Sequence, residues 1–168
     1  MNSARIKCLI IDDDPFIRDL LQDKLSQYSP DVEVLSTASS GREGLGKINI
    51  HQPELIFLDM EMAYMTGFEM LAQLSDIKFQ TIFITSYSHY AIKAIRFNAL
   101  DYLLKPIDLG ELKRAIKRFK NKAKYIDQKE NMALALQNNS TKNVTDPYVG
   151  VKNTRRCFEV NFKRYCTY

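Results

Sequence analysis

The sequence predicts an α/β protein built on a doubly wound parallel sheet of five strand–helix units. Three observations carry this. Short apolar runs alternate with longer stretches of helical periodicity. The runs are almost wholly hydrophobic, as strands covered on both faces are. Acidic, hydroxyl and basic residues stand just after four of these runs, where a parallel sheet gathers its loops.

Ile6–Ile11 reads as the first buried strand. A helix follows with Pro15 in its first turn and Phe16, Leu20, Leu21 and Leu25 at helical spacing. Val32–Ala38 is the second strand, and Gly41–Ile50 the second helix, closed off by Pro53. Leu55–Leu58 is the third strand, followed after a loop by a helix from Gly67 to about Ile77. Thr81–Thr85 is the fourth strand, Tyr90–Asn98 a helix, and Tyr102–Leu104 a short fifth strand. The last helix starts at Asp108, a suitable N-cap with Glu111 three residues on. It runs at least to Tyr125, with Leu112, Ala115, Ile116 and Phe119 on one face and a lysine- and arginine-rich solvated face opposite. Right-handed crossovers give the flavodoxin-like strand order 2-1-3-4-5.

Residues 1–125 form the main domain in this reading, and 126–146 a helix extension and linker, polar from Gln137 to Asn143. Residues 147–168 form a short, incomplete β segment of two strands around Asn153, too small to close a core. The formal net charge of +4 is unevenly placed. Residues 1–137 balance, with 18 basic and 18 acidic side chains, so the excess lies in the last part of the chain, where it suits a polyanionic partner. No apolar run is long enough to span a bilayer, and MNSARIK lacks the apolar stretch of a signal peptide. A cytoplasmic protein with no membrane partner is expected. Three cysteines without a close pair fit a reducing compartment, with Cys8 a core residue. His51 and His89 read as surface residues.

In the proposed order, strands one, three, four and five are neighbours. Asp12-Asp13-Asp14, Asp59, Thr85-Ser86 and Lys105-Pro106 therefore converge on one edge of the sheet. Clustered carboxylates repel and call for a cation, and their hard oxygens suit Mg²⁺. A carboxylate can also act as a nucleophile and form an aspartyl-phosphate. Phosphoryl transfer then needs chiefly positioning and charge neutralisation, which a lysine and a hydroxyl opposite the acids supply.

Ile10–Pro15, Leu58–Met62, Ile84–Ser86 and Asp101–Pro106, in this order and spacing, resemble the receiver domains of two-component response regulators over residues 1 to about 125. The resemblance implies that Asp59 accepts a phosphoryl group from a sensor histidine kinase. It implies that Mg²⁺ is held by Asp12, Asp13, Asp59 and the backbone carbonyl of Glu61, with Asp13 direct and Asp12 assisting through water. Lys105 would pair with the phosphate, Thr85 would hydrogen-bond it, and Ser86 would add a backbone N–H. Thr85 and Tyr102 would form the switch. Such a domain is a signalling module, not an enzyme.

The string Phe97–Ile107 resembles the subfamily whose output is a LytTR DNA-binding domain, and Val149–Lys152 with Cys157–Phe162 resembles that domain's opening strands. Only its first part is expected here, so DNA would be bound only through a complete output domain. Asp101 and Tyr102, flanked by Lys93 and Arg96 on one side and Lys113, Arg114 and Lys117 on the other, outline a mixed-charge face suited to a two-fold contact. A homodimer on phosphorylation is expected through it. The sequence departs from the family at Ala63, where proline is usual, and at the bulky Tyr64. Glu61 and Tyr87 occupy positions that influence phosphate lifetime in the family. Two other readings compete: a stand-alone receiver acting through protein contacts, and a Mg²⁺-dependent phosphohydrolase with an Asp nucleophile, of which Glu61 two residues after Asp59 is a poor match.

Overall fold

In the computed structural model, the described residues are 5–90, 94 and 97–140. The chain divides into two units, Met1–Gln128 and Lys129–Tyr168, and the sheet belongs wholly to the first. The elements are β1 (Ile6–Ile11), α1 (Pro15–Tyr28), β2 (Val32–Ala38), α2 (Gly41–His51), β3 (Leu55–Asp59), β4 (Glu61–Met62), β5 (Met65–Thr66), α3 (Gly67–Ala72), β6 (Gln80–Thr85) and β7 (Asp101–Leu104). A short 3-10 turn lies at Ser88–Tyr90, and the last helix, here α4, spans Leu109–Ser140.

Five strands form one parallel sheet in the order β2-β1-β3-β6-β7. This is the expected 2-1-3-4-5 order, with the numbering raised by the small β4–β5 hairpin, which the sequence did not announce. Alternation along the strands divides the core in two. Cys8, Ile10, Leu55, Phe57, Ile82, Ile84 and Leu103 pack against Leu21 and Leu25 of α1 and Leu112, Ala115, Ile116 and Phe119 of α4. Leu9, Ile11, Ile56, Leu58 and Phe83 point the other way, onto Ile48 of α2 and Phe68, Met70 and Leu71 of α3. Strands buried on both faces explain why the sequence shows continuous apolar runs there.

The helix starts are built locally. Asp14 caps α1 by accepting from the Phe16 N–H at 2.9 Å, with Pro15 at the first helical position. Ser40 caps α2. Thr66 and Glu69 form a reciprocal capping box at α3. Asp108 accepts from the Glu111 N–H at 2.8 Å and so caps α4 as expected.

Some boundaries differ from expectation. Helix α3 stops at Ala72, five residues before Ile77. The Gln73 and Leu74 N–H groups bond carbonyls three residues back, tightening the last turn, and Leu74 folds onto the core. Helix α4 continues through Ser140, taking in Gln137–Ser140 where a linker was expected. Tyr90 belongs to the 3-10 turn. Of the helix expected over Tyr90–Asn98, Ala94 is helical, Phe97 and Asn98 form a turn, and the rest lies outside the described residues, with Lys93 and Arg96 among them. The expected C-terminal β segment and the cysteines Cys157 and Cys166 also lie outside.

Candidate functional site

Four strand ends deliver the site. Asp12 follows β1, Asp59 closes β3, Thr85 closes β6 and Lys105 follows β7. The register pairs Ile11 with Leu58, Asp59 with Ile84, and Thr85 with Leu104, so these ends lie side by side. The Lys105 N–H donates to the Thr85 carbonyl at 2.9 Å, extending the ladder into the site, and the Lys105–Pro106 peptide is cis.

Lys105 Nζ lies 2.8 Å from Oδ2 of both Asp12 and Asp59. Both acids are buried, at 2% and 6% exposure, and Thr85 is fully buried. Burial raises Asp59 above the ordinary carboxylate range; Lys105 opposes that shift and the charge of Asp12 adds to it. Burial likewise raises Asp12, against the pull of Lys105. Burial works to lower Lys105, but its two carboxylate partners outweigh this and hold it above its ordinary value. Asp12 is further tied down: its Oδ1 accepts from the Asp14 N–H at 2.9 Å, and its carbonyl accepts from Arg18 Nη1 at 2.6 Å.

Asp13 is exposed, and its Oδ2 accepts from the Ala63 N–H at 3.0 Å. Carboxylate oxygens of Asp12, Asp13 and Asp59 lie within 4.8 Å of one another. Hard carboxylate oxygens of this kind suit Mg²⁺, which takes one or two of them beside water and phosphate. The Glu61 N–H donates to Asp59 Oδ1 at 3.3 Å, which orients that carboxylate.

Tyr87 links parts of the rim that the sequence left separate. Its N–H donates to Thr85 Oγ1 at 3.3 Å, and its carbonyl accepts from the Tyr102 hydroxyl. Its own hydroxyl donates to the Glu61 carboxylate, whose bond and charge raise the phenol above its usual range. Tyr102 packs on the α2–α3 side of the core. Ser86 is exposed immediately after Thr85. His89 is exposed with its ring near Tyr87, whereas His51 is half-buried in the last turn of α2.

Sequence reasoning also missed Gly67 and Arg118. A Cβ on Gly67 would stand 2.6 Å from the Asp59 carbonyl oxygen, so only glycine lets α3 begin this close to the end of β3. Arg118 Nη1 lies 2.7 Å from Asp101 Oδ2. Its signal was its place one turn after Arg114 on the basic helix face. Arg114 itself is exposed, 3.7 Å from Glu111, and Lys117 is exposed. Lys113 is turned elsewhere, its ammonium 5.0 Å from the centre of the Tyr28 ring.

Among the described residues no helix is long and apolar enough to cross a membrane. Cys8 is buried within the sheet, and burial pushes its thiol up to about 12.

Residues 8–117 match the family model of the response regulator receiver domain. A response regulatory protein of Vibrio vulnificus is 40% identical over 121 residues, covering 71% of this chain and 50% of that protein. The transcriptional regulatory protein BtsR of Escherichia coli is 38% identical over 116 residues, covering 68% of this chain and 48% of BtsR. The chain thus spans about half the length of the curated relatives it matches. Among solved structures, the REC domain of AraT, a response regulator from Geobacillus stearothermophilus, is similar with a TM-score of 0.65 at 30% identity, over 72% of this chain and 97% of that one. The response regulator domain of Thermotoga maritima CheB is similar with a TM-score of 0.60 at 27% identity, over 69% of this chain and 97% of that one.

Proposed function

From the premise that this chain belongs to the response regulator receiver domain family, we propose that Asp59 is its phosphoryl acceptor. The observation that carries the reading is the placement of Asp59: buried at the end of β3, 2.8 Å from Lys105 Nζ, with the carboxylates of Asp12 and Asp13 beside it. A carboxylate oxygen of Asp59 attacks the phosphorus of a phosphohistidine on a sensor histidine kinase, the general partner of this family, and the imidazole nitrogen leaves. Lys105 then pairs with the transferred phosphoryl group. Thr85 hydrogen-bonds it, and the backbone N–H of Ser86 adds a further donor.

Asp12, Asp13, Asp59 and the Glu61 carbonyl would hold Mg²⁺. When bound, the ion supplies neutralisation of the charge on the phosphoryl oxygens. The domain is a signalling module whose output is conformational.

Phosphorylation draws the Thr85 hydroxyl toward the new oxygens and opens space behind it for Tyr102, a two-state element biased by a local charge change. The bonds that tie Tyr87 to both Thr85 and Tyr102 support this coupling. The altered face, with Asp101, Arg114, Lys117 and Arg118, together with Lys93 and Arg96, then forms a homodimer. Lys113 borders the same face, although its ammonium lies over Tyr28.

Output to transcription agrees with the name of BtsR. The LytTR-like strings at 97–107 and 149–162 support a reading in which DNA is bound through an output domain beginning near residue 147, after a receiver of residues 1–125 and a connecting stretch of 126–146.

Acetyl phosphate with Mg²⁺, followed by intact mass and peptide mapping, tests the acceptor. One phosphate at Asp59 is expected, and an Asp59→Asn protein that takes up phosphate to the wild-type level refutes the assignment.

A further inference from the structure

A two-residue turn, Ala63–Tyr64, joins β4 to β5, with Glu61 paired to Thr66 and Met62 to Met65. Tyr64 has φ 69° and is fully exposed. A positive φ at the second turn position is normally given to glycine or asparagine, so this turn holds a bulky residue in a conformation that favours small ones. Ala63, at the first position, keeps an ordinary negative φ. A backbone N–H at that position takes no part in the turn's own hydrogen bond. In this chain it reaches across to Oδ2 of Asp13, 3.0 Å away and 50 residues distant in sequence. Proline at that position builds the same kind of turn but has no N–H to offer. Alanine here therefore supplies a donor that proline would lack.

A carboxylate that accepts an N–H on one oxygen keeps the other for a cation, and such outer donors fix the orientation of the ligand. We infer that the Ala63 amide is a positioning donor for Asp13, coupling the β4–β5 hairpin to the cation site and strengthening its hold on Mg²⁺. This rests on the reading of Asp13 as a cation ligand.

Titration of the full chain with MgCl₂, monitored by heteronuclear NMR, tests it in wild type, Asp13→Asn, Ala63→Pro and Ala63→Gly. The expected result is a roughly tenfold rise in the Mg²⁺ dissociation constant for Ala63→Pro, at an unchanged melting temperature. Ala63→Gly, which keeps the donor, is expected to rescue wild-type affinity, and Asp13→Asn to lose most of it. Ala63→Pro binding like wild type beside a weakened Asp13→Asn overturns the inference and leaves Asp13 a ligand. Ala63→Gly weakened as far as Ala63→Pro assigns the effect to turn conformation and also overturns it. Asp13→Asn binding like wild type removes the ligand reading and the inference together. The Ala63 amide proton gives an independent measure: it moves upfield in Asp13→Asn, and an unmoved resonance overturns the inference whatever Ala63→Pro does.

Discussion

The ammonium of Lys105 stands 2.8 Å from Oδ2 of Asp59, joining two strand ends 46 residues apart in the sequence. The same ammonium holds Asp12 at the same distance. Removing it leaves two buried carboxylates facing each other. Lys105→Ala is expected to lose about 3 kcal/mol at neutral pH, the scale for stripping one partner from a buried ionic group. Urea denaturation checks this, and a loss below about 1 kcal/mol, the scale of an exposed pair, counts against a buried linchpin.

The second prediction concerns pH. Burial and the neighbouring Asp12 raise Asp59 in the folded state. A carboxylate raised in this way favours folding when protonated, and that contribution is lost as pH rises from the unfolded carboxylate range through the folded one. Ionised Asp59 therefore burdens the metal-free protein at neutral pH. Asp59→Asn is expected to melt a few degrees higher than wild type at pH 7 without divalent cations, the gain shrinking as pH falls into the carboxylate range. Calorimetry in chelator at several pH values measures it. An equal gain at every pH would rule out relief of charge as the cause.

Glycines offer the third. A Cβ at Gly67 meets the Asp59 carbonyl at 2.6 Å, whereas Gly46, on the exposed face of α2, has nothing within 4 Å of its added Cβ. Gly67→Ala is expected to cost about 1–3 kcal/mol through overpacking and to displace the acceptor, slowing phosphorylation. Gly46→Ala is expected to gain up to about 1 kcal/mol from helix propensity. Paired denaturation curves decide, and a neutral Gly67→Ala would show that the start of α3 shifts freely.

The fourth joins the site to assembly. The Arg118–Asp101 pair is exposed on the arginine side, at 60%, so Arg118→Ala is expected to change monomer stability by less than about 1 kcal/mol. In the beryllofluoride-loaded protein the same variant is expected to weaken dimerisation several-fold. Sedimentation at tens of micromolar, on the order of the range where weak contacts register, reads the result. A wild-type monomer with and without beryllofluoride rules out the dimer.

Much of the site was legible because it depends on side chains at strand ends. Asp12, Asp59, Thr85 and Lys105 follow or close apolar runs, and the parallel order brings such positions together whatever the loops do. The less legible parts depend on the backbone. The N–H of Ala63 and the carbonyls of Asp59 and Tyr87 have no letter in the sequence. The β4–β5 hairpin has two-residue strands and a tyrosine where its turn calls for glycine, so neither periodicity nor turn composition marks it. Arg118 was hidden by its company, because one arginine among many on a basic face reads as solvated until the facing strand is known.

Asp12, Asp13 and Asp14 are chemically identical neighbours that leave the loop in three directions: toward Lys105, toward the Ala63 amide and back onto the first turn of α1. The loop is thus its own internal control. The same exchange for alanine at three successive positions removes a partner of Lys105, the attachment of the hairpin and the cap of α1 in turn. Insertion or deletion of one residue here leaves the composition of the acidic run nearly unchanged yet shifts every carboxylate into its neighbour's role.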